Sequence, residues 1–198
     1  MKSDSVDKRT ARTKITLHNA LLELLKTKKV SEVSVHELCE KADINRGTFY
    51  KYYKNVQDIL SITENELFKQ YAELFSEITA LSNPDIFIYE CLKLVKKNGQ
   101  ACRLLLAAKE YDFITKISVI AHDFIISYWR KRFNCDDIEL LKGIYTFVSW
   151  GTFGLIEKWI GNDFDISPPV LANAINQASD KSVETLIEVA RPYRGEKY

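Results

Sequence analysis

Apolar residues recur every three or four positions along this chain, in long stretches that few breakers interrupt, and no segment shows the strict alternation of a strand. The first such pattern predicts a helix from about Thr10 to Lys28, with Leu17, Leu21 and Leu24 on one face and Ile15 and Leu22 beside them. The polar residues 1–9 before it are expected to fray. Ser34, followed three residues later by Glu37, has the form of a capping box and predicts a second helix carrying Val35, Leu38 and Ala42 inward. Asp43-Ile44-Asn45 interrupts that helix, and Asn45 is suited to cap a third, placed over Asn45–Lys54. A long fourth helix opens near Asn55 and runs through Ile59, Leu60, Ile62, Leu67, Tyr71, Leu74 and Ile78.

Asn83-Pro84-Asp85 predicts a restart, and Asn98-Gly99 predicts a stop with Gly99 as a left-handed cap. Residues 100–133 form one or two further helices ending in the basic run Arg130-Lys131-Arg132. Asp136-Asp137 opens a helix reaching Gly161-Asn162, and Ser167-Pro168-Pro169 opens the last one, to about Ala190. The fold class that follows is all-α: an N-terminal helix-turn-helix domain of three helices (1–55) joined to a helical C-terminal domain (56–198). Without a Gly/Ser linker at the boundary, a continuous helix is expected to join the two.

Composition agrees with this pattern. With 46% hydrophobic residues and only 7 Gly and 4 Pro, the chain can bury a core and has few positions that stop a helix. The net charge of +1 hides an asymmetry. Residues 1–55 hold 12 Lys and Arg against 7 Asp and Glu, and the remainder holds 16 against 20. A basic quarter on an acidic body places contact with a polyanion at the N-terminal end.

Other chemistries find no support. The four cysteines form no CxxC pair, and with His18, His36 and His122 they give no metal-ligand spacing. No Gly-rich phosphate loop, nucleophile elbow or zinc-protease motif occurs, and acidic pairs such as Asp136-Asp137 suit a helix start, so no enzyme, cofactor or metal is expected. No apolar leader or span of 18 apolar residues is seen, so no membrane contact is expected and a reducing cytoplasm fits best.

The third predicted helix carries the specific signal. Arg46, Tyr50 and Lys54 are spaced by four, with Gly47 and Lys51 beside them, while Phe49 and Tyr53 occupy the opposite face. One face thus docks on a small core while the other presents a basic, hydrogen-bonding probe. Arg46 suits a bidentate contact to guanine; Thr48 and Tyr50 suit phosphate oxygens or a thymine methyl. Lys51 and Lys54 suit the phosphate backbone. Gly47 weakens the helix by about 1 kcal/mol relative to Ala, which close approach to DNA would explain.

The run Asn45-Arg46-Gly47-Thr48-Phe49-Tyr50-Lys51-Tyr52-Tyr53, within residues 10–60, resembles the DNA-binding domain of tetracycline-repressor (TetR) family regulators. That resemblance implies base contacts from Arg46, Gly47, Thr48, Tyr50 and Lys51. It implies phosphate contacts from Tyr52, Lys54 and the start of the first helix around Thr10 to Thr13. The family usually places a phosphate-touching Lys where this chain has Val56. The resemblance further implies a C-terminal ligand-binding and dimerisation domain, and the segment from Phe147 to Ile160 is similar to a helix common there.

In that region Gly143, Gly151 and Gly154 lie inside one predicted helix near Trp150 and Trp159. They mark either close packing within one subunit or a four-helix bundle built with a second copy from residues 137–162 and 168–190. Phe113, His122, Tyr128, Trp129 and Tyr145 are candidates for an effector pocket, although aromatics at helical spacing are more often plain core. The expected function is a homodimeric, effector-responsive repressor on double-stranded DNA. The alternative is a helical adaptor of the same fold acting through a protein partner.

Overall fold

The computed structural model describes residues 2–81, 86–109 and 112–190, and the secondary structure among them is helical. The elements are α1 (Lys2–Leu24), a 3-10 turn (Val30–Glu32), α2 (Val35–Ala42), α3 (Arg46–Phe49), α4 (Val56–Leu81), α5 (Phe87–Lys97), α6 (Gly99–Ala107), α7 (Asp112–Arg132), α8 (Ile138–Gly161) and α9 (Pro168–Ala190). They fall into two compact units: residues 1–67 with 98–111, and residues 68–97 with 112–198.

In the first unit α1 packs on α2 and α6, and α2 on α3. Its centre is apolar, with Leu17, Leu21, Leu38, Phe49, Ile59 and Leu104 fully buried. Gln100 of α6 donates to the side chain of Asn19 and reaches the Ile15 carbonyl at 3.4 Å, which ties α6 to α1. In the second unit α5 packs on α9, and α8 packs on both α7 and α9. Its core joins Ile126, Trp129, Leu141, Ile144, Tyr145, Val183 and Ile187. The Phe75 ring meets Phe87 and Phe124 edge-on.

Several helix ends follow the side-chain chemistry read from the sequence. Ser34 Oγ accepts from the Glu37 amide at 3.1 Å, Asp137 Oδ1 accepts from the Leu140 amide at 3.0 Å, and Pro168 opens α9. The Glu37 carboxylate, however, is held by Lys28 Nζ at 2.5 Å, so the Ser34 half carries that cap. Three other ends differ. Helix α1 starts at Lys2, because residues 2–9, polar apart from Val6, contain neither Gly nor Pro. It stops at Leu24, where Lys26 and Thr27 tighten into three-residue hydrogen bonds. Gly99 keeps a right-handed φ and opens α6 after Asn98, so it is no left-handed cap. The restart expected at Asn83-Pro84-Asp85 lies outside the described residues.

Candidate nucleic-acid interface

The segment after α2 is built by local hydrogen bonds. Asp43 takes a left-handed backbone (φ 50°) and ends α2, and the Ile44 amide closes back on the Cys39 carbonyl at 3.0 Å. Asn45 Oδ1 then accepts from the Gly47 amide at 2.7 Å and starts α3. A Cβ on Gly47 would stand 3.1 Å from that oxygen, so the bare glycine also leaves room for the cap. Replacing Asn45 with Ala is expected to lower the unfolding free energy by about 1 kcal/mol, measured as a shift in denaturant midpoint at constant slope.

Only four residues form α3, and the chain then tightens, with the Tyr52 amide on the Phe49 carbonyl at 2.9 Å. Lys54 therefore lies beyond the helix on which the spacing placed it. Its amide is claimed by Asp58 Oδ2 at 2.8 Å, while Asn55 Oδ1 caps Asp58 at 2.9 Å. The start of α4 thus competes for the backbone that would have extended α3.

The division of faces survives this shortening. Phe49 and Tyr53 are buried, and their rings pack 5.8 Å apart. Arg46, Gly47, Tyr50, Lys51 and Lys54 are exposed, while Thr48 and Tyr52 are half-buried. None of the three cations is in an ion pair among the described residues. Tyr52 Oη lies 3.4 Å from Thr10 Oγ1, so α1 at Thr10 and the recognition segment present hydroxyls side by side. Val56 is a core residue, 5% exposed. Its apolar side chain serves packing, so this chain offers no cation at that position.

In the second unit, His122 of α7 and Tyr145 of α8 line an open groove of about 420 Å³ together with Ser118, Asp123, Thr146 and Trp150. Tyr145 Oη donates to the Ser118 carbonyl at 2.6 Å and meets the His122 ring edge-on. His122 Nδ1 lies 2.7 Å from Asp123 Oδ1, so this imidazole belongs to a surface pair and not to the core. Trp129 is buried in the core, and Tyr128 packs against that core with Arg132 over its ring. The Phe113 side chain lies outside the described residues.

A family model described as the C-terminal region of TetR-type transcriptional regulators matches residues 82–181, half of the chain. The chain belongs to the TetR family of transcriptional regulators. This match falls on the C-terminal half, whereas the recognition motif lies in the first quarter, so different residues carry the two signals. A Bacillus subtilis (strain 168) protein, the HTH-type transcriptional regulator YxbF, is 28% identical over 108 residues, which is 54% of this chain and 26% of that protein. The match thus spans about a quarter of that relative's length. Among solved structures, the dihydroxyacetone kinase operon activator DhaS aligns with 20% identity and a TM-score of 0.51, covering 87% of this chain and 97% of its own. The fatty acid degradation regulator FadR from Bacillus halodurans aligns with 12% identity and a TM-score of 0.53, covering 84% and 94%. At such identities these likenesses establish the fold.

One residue packed behind the recognition segment of this TetR regulator carries no mark in the helical spacing. His18 of α1 is mostly buried beside Tyr53 and Thr63, and burial holds its imidazole down at about 4. Its partners are 35 and 45 residues away, so no local pattern marks it.

Proposed function

We propose that this TetR regulator is an effector-responsive repressor that binds a palindromic operator as a homodimer. The observation that carries the reading is the recognition segment: Phe49 and Tyr53 anchor it while Arg46, Tyr50, Lys51 and Lys54 stay exposed, with the three cations in no ion pair among the described residues. In this reading Arg46, Gly47, Thr48, Tyr50 and Lys51 meet bases, and Tyr52, Lys54 and the stretch of α1 around Thr10 to Thr13 meet phosphates. Residues 1–55 serve the DNA, and residues 56–198 serve effector and partner.

The dimer reading draws on α8. Apart from its own stretch of helix, a Cβ at Gly143, Gly151 or Gly154 would meet nothing within 4 Å among the described residues, so close packing within one subunit does not account for these glycines. Phe147, Trp150 and Leu155 on the same helix are 62%, 57% and 47% exposed. Pairing α8 antiparallel with its copy about the point between residues 150 and 151 sets Trp150 against Gly151 of the partner subunit. The same register sets Phe147 against Gly154 of the partner subunit, so each large ring meets a bare backbone. Trp150→Glu is expected to convert the dimer to a monomer in sedimentation equilibrium with helicity unchanged; a dimer of undiminished affinity would refute this face.

Two such subunits would set recognition segments one DNA turn apart, about 34–36 Å, or a multiple of it. An effector in the α7–α8 groove would act by binding one arrangement of the pair more tightly than the other, with α4 as the element continuous from the recognition segment onward. The test is binding to the DNA upstream of the regulator's own gene. Salt-sensitive, saturable binding supports the reading, and its absence there and on the neighbouring promoters overturns autoregulation. The adaptor alternative drew on Val56, and burial now gives that residue a packing reason of its own.

A further inference from the structure

We infer that His18 is a positioning residue for DNA binding, a neutral Nε2–H donor that fastens the end of the recognition segment to α4. His18 Nε2 lies 3.3 Å from Thr63 Oγ1 and 3.5 Å from Tyr53 Oη. Three elements therefore meet at one nitrogen: α1 through His18, the recognition segment through Tyr53, and α4 through Thr63.

The proton inventory sets the tautomer. Thr63 Oγ1 donates its single proton to the Ile59 carbonyl at 2.7 Å, the shortest bond of the set. Toward His18 it therefore presents only a lone pair. Two acceptors facing each other would repel, so Nε2 carries the hydrogen and shares it between the Thr63 and Tyr53 oxygens. Thr63 is 3% exposed and Tyr53 also 3%, so water cannot substitute freely for the lost donor.

Charge on the ring is disfavoured mainly by burial, and Lys14 of α1 adds to that effect. Glu66 of α4 opposes it, but its carboxylate is already bound by Lys14 Nζ at 2.7 Å. Asp58 and Glu66 in turn act on Tyr53, whose phenol burial holds protonated. The site thus keeps a neutral imidazole beside a neutral phenol over the ordinary pH range. Tyr53 follows Tyr50 by three residues and adjoins Tyr52 and Lys54. Without the donor, Phe49 still anchors the segment from one side, but the Tyr53 end loses its fixed relation to α4.

The inference rests on the DNA-binding reading, and its test keeps the two separable. The probe is a duplex recovered from a random-sequence DNA pool with the wild-type protein. His18→Phe keeps a ring and removes the donor, while His18→Gln offers an amide N–H at similar reach. Expected at a temperature where all variants are folded is about tenfold weaker binding for His18→Phe, and binding within about threefold of wild type for His18→Gln. Thr63→Val should match the His18→Phe loss, and the double variant should lose no more than either single one. Equal affinity of folded His18→Phe and wild type overturns the inference, as does a His18→Gln loss as large as that of His18→Phe. Should His18→Phe not fold, wild-type affinity in folded Thr63→Val overturns it. Nitrogen chemical shifts showing the Nδ1–H tautomer contradict it directly. Failure of the wild-type protein to recover any duplex defeats the DNA-binding reading instead.

Discussion

Arg46→Ala combined with Tyr50→Ala is expected to lower affinity for the operator by about two to four orders of magnitude while leaving the fold intact. A good base-edge contact is worth roughly 1–3 kcal/mol of discrimination, and the two changes remove one candidate each. Little structure depends on them. Tyr50 is 58% exposed and touches Phe49 only edge-on at 5.4 Å, and Arg46 is in no ion pair among the described residues. Thermal unfolding should therefore shift by a degree or two at most, roughly what surface substitutions cause. A Lys51→Ala control separates charge from readout. Removal of one phosphate contact lowers the slope of log affinity against log salt by about 1, with similar loss on every sequence. Fluorescence anisotropy across a salt series measures both quantities, and unchanged operator affinity in the double variant would remove these residues from the interface.

The second large effect is acid sensitivity of the N-terminal unit. His18 is held down at about 4 against an unperturbed 6.5, with burial as the main cause. The unfolded chain therefore binds a proton in a range where the folded chain does not. The resulting stability is fully present above pH 6.5, falls as pH drops, and is gone below about 4. At pH 5 the loss amounts to about 2 kcal/mol, and the full linkage is on the order of 3 kcal/mol. Urea midpoints between pH 7 and pH 5 read this slope. His18→Gln has no titrating ring and should flatten it, so a slope of wild-type steepness in that variant would assign the effect to other groups.

Much of the recognition segment was legible because its determinants are local. Asn45 caps across two residues, Ser34 across three, and the division of Phe49 and Tyr53 from Arg46 and Tyr50 follows from helical spacing alone. The length of α3 was not legible. Whether the backbone of Lys54 extends that helix or caps α4 depends on a contest with Asp58, and both outcomes fit the same pattern. The C-terminal aromatics show the same limit. His122, Tyr128 and Trp129 of α7 and Tyr145 of α8 all sit at helical spacings, yet Trp129 is core, His122 borders a groove, and Tyr145 does both. Periodicity marks a buried face, and the neighbouring helix determines which part of that face is filled.

Composition and periodicity by themselves determined the all-α class, most helix starts, the basic first quarter and the identity of the exposed probe. These depend on contacts within one or two helical turns, and such contacts are written in sequence order. Tertiary structure decided that Val56 is core, that the glycines of α8 face open space, and that His18 joins Tyr53 and Thr63. Each of those outcomes depends on which surface arrives opposite a residue from tens of positions away. Burial, and with it the charge state of His18, is a property of that arrival and not of the residue alone.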